Sequence, residues 1–588
     1  MAGISYRVEV EDVHAHRFAV TLTIPAPAPL QQVSLPAWIP GSYLLREFAR
    51  HLSGLTARQG SREILPEQLD KANWQFRCEG RAALVLSYRV YAFDTSVRAA
   101  FLDAARGFFN GTSLCLRVHG REREPQRLAL GRLPAGWQVA TAMAPDGRKK
   151  HQYLAADYDE LVDHPFELGQ FWLGRFAAGG VEHRLVVAGA LPVFDGERLL
   201  RDAQTICQTQ IAFWHGKGRK AAPPFAGYTF LLNVVDDSYG GLEHRASTAL
   251  IAARRDLPRV GQAEQSDGYV RLLGLISHEY FHSWNVKRMK PAELAALDYA
   301  QENYTGLLWF FEGFTSYYDD LMLLRAGLID AGRYLKLISA TITGVLATPG
   351  RHVQSVAQSS FDTWIKYYRQ DENTPNSTIS YYAKGALLAL ALDLALRGAE
   401  QPQTSLDALM RALWTASRGG PISEADILAQ LARLGGADSA EALRRWVHGS
   451  GDLPLPALLE RLGVQWRHER ATLAQRLGLR VAESALGGVQ VKQVLNGSAA
   501  EQAGLAAGDE LIGCNDWRLR RLDDALLSLA PGQDRLRLLV ARDQRLLVLT
   551  LQLPAEPPGA AGAVTLSLSP ADKLSACALG LRRAWLGG

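Results

Sequence analysis

The segment Leu275-Ile276-Ser277-His278-Glu279-Tyr280-Phe281-His282 sets two imidazoles four residues apart, with an acid next to the first. On a helix, residues i and i+4 stack on one face about one turn apart, so both rings can reach a single ion. Glu279 falls on the neighbouring part of that face, where its carboxylate can reach a water on the metal without binding the metal itself. The chemistry such a set supports is metal-assisted hydrolysis with Glu279 as general base. With 14 His and 60 acidic residues in 588, random placement yields His-acid-x-x-His about 0.03 times per chain, so chance is a poor account of it. The bland alternative is a pair of satisfied helix histidines. Against it, Leu272, Leu273, Leu275, Ile276 and Phe281 make the rest of the segment apolar, where polar groups without partners are costly.

Catalytic zinc takes three protein ligands and keeps a fourth position for water, so a third donor is required. Glu312 is the best candidate. It stands in Leu307-Leu308-Trp309-Phe310-Phe311-Glu312-Gly313-Phe314, an apolar helical run in which a lone carboxylate is expensive to bury without a cation; the alternative is a carboxylate on the helix surface. Asp319, seven residues on, is a candidate partner for a ligand histidine, unless Asp319-Asp320 is simply solvated.

These residues need elements to position them. Residues 5–163 show short alternating runs, among them 6–10, 18–24 and 83–90, separated by Gly, Pro and Asp clusters, which predicts an all-β domain. Strand-like runs continue at 183–187 and 228–235, and the sheet is expected to stop at Asp236-Asp237-Ser238-Tyr239-Gly240-Gly241. From 266 to about 462 the period becomes helical and rich in Leu and Ala, with loops at Lys290-Pro291, Thr348-Pro349-Gly350 and Thr374-Pro375-Asn376. After a connection near 466–475 strands return until 554, with turns at Gly487-Gly488 and 504–508. A Pro/Gly/Ala stretch, 554–562, then leads to a short terminal segment. The expected fold is multidomain α+β: an all-β domain over 1–168, a β-then-α domain over 169–465, a small β domain over 466–555 and a tail over 556–588.

Composition sets the outer limits. A chain of 588 residues is too long for one core and predicts about three or four domains. The charge of +4 arises from 64 basic and 60 acidic residues spread along the chain, leaving no basic block to neutralise phosphates, so nucleic acid is not an expected partner. The opening MAGISYRVEV alternates like a strand rather than a signal peptide. The longest apolar stretch, 386–396, is too short for a bilayer and contains Asp393; no membrane association is expected, and the expected compartment is the cytoplasm. Cys78, Cys115, Cys207, Cys514 and Cys577 are scattered and form no CxxC pair, which predicts reduced thiols rather than disulfides or a thiolate metal site.

With His278-Glu279-x-x-His282 followed by Glu312-Gly313-Phe314, the chain resembles the gluzincin metallopeptidases, and more narrowly the glycyl aminopeptidase family. That family joins an N-terminal β domain, a thermolysin-like catalytic domain and a PDZ domain. The narrower likeness is carried by Trp38-Ile39-Pro40-Gly41-Ser42-Tyr43, Gly107-Phe108-Phe109-Asn110-Gly111-Thr112, Asp163-His164-Pro165-Phe166-Glu167 and Ser283-Trp284-Asn285, segments that read by themselves as turns and packing aromatics. One departure is visible: 29 residues separate His282 from Glu312, more than in the better-known aminopeptidase branch, so an insertion must loop out after Lys290-Pro291.

The resemblance adds three readings. Gly240-Gly241-Leu242-Glu243-His244 is similar to the exopeptidase motif in which glycines let a substrate backbone approach and the acid faces its free amine, making Glu243 the amine anchor; by itself it reads as a tight turn with a surface acid. Tyr381-Tyr382-Ala383-Lys384-Gly385 resembles the Tyr-x-Lys-Gly segment whose tyrosine hydrogen-bonds the oxyanion, with Tyr382 the matching position and Tyr381 a close rival. Leu477-Gly478-Leu479-Arg480-Val481, with 489–494, Ala503-Gly504-Leu505, Gly508-Asp509-Glu510-Leu511 and Asn515, looks like a PDZ domain whose first loop receives a peptide C-terminus, the alternative being a generic small β domain. Together these imply a zinc-dependent aminopeptidase with one Zn2+ per chain, acting on peptides and preferring small first residues, Gly or Ala. A zinc endopeptidase on the same site is the nearest rival. A non-catalytic PDZ-bearing adaptor is a further one, against which the intact His278, Glu279, His282, Glu312 and Tyr382 argue.

Overall fold

The computed structural model describes residues 3–147, 149–216, 218, 222–399, 404–484, 488–555 and 562–587; the turn expected at Gly487 and most of the stretch 554–562 lie outside the described residues. The chain forms two compact units, Met1–Tyr304 with Ser417–Pro421, and Thr305–Ala416 with Ile422–Gly588.

In the first unit the period-2 pattern becomes sheet. Arg17–Ile24 alternates half-buried and buried residues along its whole length and pairs with Ile4–Asp12 on one side and Leu84–Tyr91 on the other, in a sheet of seven strands. Two four-stranded sheets, one built on Leu30–Ser34 and Asn73–Arg77 and one on Arg106–Phe109 and Phe166–Gly169, complete the N-terminal region. Three buried phenols tie it together by donating to three successive carbonyls: Tyr88 to Leu114 at 2.6 Å, Tyr158 to Cys115 at 2.7 Å and Tyr6 to Leu116 at 2.8 Å. Its apolar core runs on into the next sheet, so that Val186, Leu231, Ala249 and Ile251 belong to the same cluster as Tyr6, Phe18 and Leu86.

That next sheet has the order β1 (Trp172–Ala178), β2 (Val181–Ala188), β3 (Gly227–Val235), β5 (Ser247–Ala253), β4 (Tyr239–Glu243). The three inner strands are parallel and the two edge strands antiparallel to their neighbours. Two expectations are corrected here. The sheet does not stop at 236–241: the chain turns there and adds β4 and β5. Ser247-Thr-Ala-Leu-Ile-Ala-Ala253 is buried at every position, so it lacks the alternation that marks a one-sided strand. Parallel β2 and β3 also need a crossover, which is the 20-residue helix α1 (Gly196–His215), between two strand runs where the sequence reading named no helix. Asp195 caps it by accepting from the Arg198 N–H, and Leu199, Ala203, Ile206, Gln210 and Ile211 form its buried face. Helix α2 (Asp267–Phe281), capped by the Ser266 side chain, follows the sheet.

The second unit opens with one helical turn, Leu308–Phe311, then α3 (Gly313–Arg325), and has α4 (Tyr381–Arg397) at its centre. A Cβ on Gly313 would stand 2.6 Å from the Gly385 Cα and one on Gly385 2.7 Å from the Trp309 carbonyl oxygen, so these glycines let α3 and α4 meet backbone to backbone. The segment Thr374–Arg397 is long and apolar enough to cross a membrane by composition, yet 78% of its most apolar 18-residue window is buried inside the protein. It is a core helix, with Asp393 paired to Arg397 at 3.0 Å and accepting from Tyr317 at 2.7 Å. The expected loop at Thr374-Pro375-Asn376 is a turn of helix.

From Leu473 to Gln552 the chain forms a six-stranded β module with its own core, including Leu479, Val491, Leu511 and Leu538. Two antiparallel strands flank it, Val464–His468 and Val564–Leu568. The residues expected as a tail return to the helices: Ala576–Leu586 is a helix whose Trp585 is fully buried and donates to the Tyr317 hydroxyl at 3.1 Å.

Candidate active site

In the first unit, α2 ends at Phe281, so His278 lies in its last turn and His282 is the capping residue. The two rings stand 4.6 Å apart, edge to face. The Nδ1 of His282 lies 2.8 Å from the Asn285 carbonyl, which can only accept; Nδ1 therefore carries the proton and Nε2 keeps its lone pair for a ligand role. The far side of the helix end is locked by Gln210 of α1, which donates to the Ser277 carbonyl and hydroxyl at 2.8 and 2.9 Å. Tyr280 points away from the histidine pair and donates to Nε2 of His183 on β2 at 2.9 Å.

Edge strand β4 crosses the end of α2. Gly241 lies so close to Glu279 that an added Cβ would stand 2.0 Å from a carboxylate oxygen; the glycine is there because nothing larger fits. The ligand atoms of Glu243, Glu279 and His282 all lie within 4.8 Å of one another, and all three side chains are buried. Two carboxylates and an imidazole thus converge at the open edge of a sheet, where an extended peptide could pair with β4 and present its amine to an acid. Arg98, from the loop before Ala100–Leu102, donates to the Gly241 carbonyl at 3.0 Å and steadies that edge.

Around Glu243 the N-terminal region and the insertion after His282 meet. A Cβ on Gly41, whose φ is +92°, would lie 2.5 Å from a Glu243 oxygen. The insertion is pinned there: Trp38 donates to the Asp298 carbonyl at 2.8 Å, the Ala37 N–H to the Tyr299 carbonyl at 2.7 Å, and the Tyr299 hydroxyl to Asp159 at 2.8 Å. Next to Glu243, His244 faces Asp163, which Lys287 meets at 2.8 Å. Against its burial, Lys287 and His244 hold the Asp163 carboxyl well below the usual range.

In the second unit, Glu312 sits at the break between Leu308–Phe311 and α3, only 2% exposed among Trp309, Phe310, Phe311 and Phe314. The first turn of α4 lies beside it. Burial, and then the Glu312 charge, push the Tyr382 phenol far above its ordinary value, so it stays a proton donor. Tyr381, whose ring stacks on that of Tyr382 at 4.7 Å, is fully buried and bonded to the Thr363 hydroxyl at 2.9 Å. Lys384 donates to the Arg351 carbonyl at 3.1 Å and serves the backbone. Asp319 is half-buried on α3.

Family models match in three places: the Peptidase M61 N-terminal domain at residues 5–170, M61 glycyl aminopeptidase at 271–388 and a PDZ domain at 465–541. A solved structure of an aminopeptidase N family protein from Idiomarina loihiensis is 36% identical, covers 99% of this chain and 100% of its own, and superposes with a TM-score of 0.91. The chain belongs to the M61 glycyl aminopeptidase family. An M1 zinc metallopeptidase from Deinococcus radiodurans, 16% identical over 77% of this chain and 95% of its own, has a TM-score of 0.47. No curated protein matches the chain.

This M61 member is therefore a metallo-aminopeptidase with an α+β architecture that includes a C-terminal PDZ domain. Of the residues singled out in its sequence, His278, Glu279, His282, Glu243 and Gly241 gather at one end of the five-stranded sheet, and Glu312 and Tyr382 come together in the helical unit. Sequence reasoning missed Arg98, Gln210 and Asn285. Gln210 lies on a helix whose period is disguised by β-branched and aromatic residues, and an arginine in a loop and an asparagine acting through its backbone carbonyl carry no signal of their own.

Proposed function

We propose that this aminopeptidase holds one zinc ion through His278, His282 and Glu312, a set of donors that could share a metal, and removes the first residue of peptides with small N-termini, Gly or Ala. Two imidazoles and a carboxylate form the donor set of catalytic zinc with one position to spare. Bound zinc supplies polarisation of the scissile carbonyl and of the attacking water. Glu243 accepts from the free ammonium of the peptide and sets how far its chain can enter. Glu279, held against Gly241, takes the proton of the attacking water and delivers it to the departing amine. Tyr382 donates to the carbonyl oxygen as negative charge grows there. The observation that carries this reading is the convergence of Glu243, Glu279 and His282 within 4.8 Å, which couples an amine anchor to the general base.

The cytoplasm is the proposed compartment, in keeping with five free cysteines. The PDZ domain is proposed to bind a peptide C-terminus at its Leu477-Gly478-Leu479 loop.

Two measurements test the function. N-acetylation of a glycyl peptide is expected to abolish cleavage; equal cutting of the blocked peptide would make the enzyme an endopeptidase. Glu279→Gln is expected to keep its zinc, measured by elemental analysis, while kcat falls by about 10²–10⁴. Retained turnover would remove Glu279 from the mechanism.

A further inference from the structure

Beside Glu243 lies a cavity of about 80 Å³ with no role in the chemistry above. Its walls are Trp38, Gly41 and Tyr43 from the N-terminal region, and Leu294, Leu297 and Tyr299 from the insertion that follows His282. Neither segment carries reacting groups, yet each is fixed to the other by the hydrogen bonds from Trp38 and Ala37, and the turn at Gly41 rests directly on the Glu243 carboxylate.

Its charges are unequal in their commitments. Asp163 is answered by Lys287 at 2.8 Å and by the Arg245 backbone N–H at 2.9 Å. Asp159 accepts from Tyr299, and its charge, with that of Asp163, raises the Arg245 guanidinium. Lys290 also lines the cavity and has neither hydrogen bond nor ion pair among the described residues. Burial, with Lys287 and Arg245 nearby, outweighs the pull of Asp163 and Asp159 and brings its ammonium down to about 8.

We propose that this cavity receives the side chain of the peptide's first residue and that Lys290 is its specificity-determining residue, admitting a short acidic side chain, aspartate, alongside Gly and Ala while turning away lysine and arginine. The proposal rests on Glu243 as the amine anchor, since the anchored amine puts the first side chain next to Glu243. The N-terminal region and the insertion then act as walls of the specificity pocket. A like charge brought against Lys290 loses affinity, and an opposite one gains it.

The test is the ratio of kcat/KM for aspartyl- over lysyl-p-nitroanilide with the zinc-loaded full chain, a ratio that cancels any general damage in a variant. Wild type is expected to favour aspartyl. Lys290→Met should bring the ratio down about tenfold, and Lys290→Glu should reverse it. Should turnover of either substrate be too slow, competitive inhibition by free aspartate and lysine gives the same ratio. A wild-type preference for lysyl, or a ratio unmoved in both variants, overturns the assignment. Glu243→Gln on glycyl-p-nitroanilide separates the two readings: a large loss there with an unmoved Asp/Lys ratio sinks the pocket alone, whereas unimpaired turnover sinks the anchor.

Discussion

At the scale of single residues, the site depends on small groups as much as on reactive ones. Gly241 carries no chemistry, but it lets the Glu279 carboxylate lie against β4. The sequence favours Tyr382 with Tyr381 a close rival; Tyr381 spends its hydroxyl on Thr363, whereas Tyr382 is half-buried beside Glu312. The two Phe variants should therefore part. Tyr382→Phe is expected to lower kcat about 10²–10³-fold with KM little changed, as for other lost oxyanion donors. Tyr381→Phe should leave kcat within a few-fold and cost about 1 kcal/mol of stability in urea unfolding, the worth of one buried hydrogen bond. Equal kinetic losses would remove the distinction.

At the scale of elements, α2 is held to the sheet by polar contacts whose protonation is fixed. The Nδ1 of His183 donates to the Val181 carbonyl at 2.9 Å, so its Nε2 accepts from Tyr280 of α2. Burial pulls the His183 ring down to about 4, below the ordinary 6.5 of the unfolded chain. The unfolded state therefore binds the extra proton first: the contribution is complete above about pH 6.5 and is lost as pH falls towards 4. Its size is on the order of 3 kcal/mol. Urea unfolding at pH 7 and pH 4 should show wild type losing about that much more stability than His183→Phe, which keeps the stack on Phe176 but cannot titrate. Parallel pH profiles for the two proteins would contradict this.

At the scale of the molecule, the chain forms two compact units. Each unit needs its own support. In the second, the chain end is part of the fold: Trp585 is fully buried against Tyr334 and bonded to Tyr317, and Arg397 donates to the Ala584 carbonyl at 2.7 Å. Trp585→Ala is expected to destabilise by about 3–5 kcal/mol, as for other large core deletions, read as a lower urea midpoint with an unchanged slope. A shift under 1 kcal/mol would show the terminal helix to be an ornament.

The helix that carries His278 and His282, the alternating N-terminal strands and the PDZ signature were legible in the sequence because each is a short-range pattern: a spacing along one helix, a period of two, or a turn residue at a fixed offset. Even β5 and α1, which are local elements, escaped because burial on both faces removes alternation from one, and β-branched and aromatic residues disguise the other. What only the tertiary structure decided concerns residues far apart in the chain. Gly41 against Glu243, Arg98 on the Gly241 carbonyl, Tyr299 on Asp159 and Trp585 on Tyr317 join partners separated by between 140 and 268 positions. No local pattern encodes such a pairing, since the residues that meet are chosen by how sheets and helices close on their cores rather than by their neighbours in sequence.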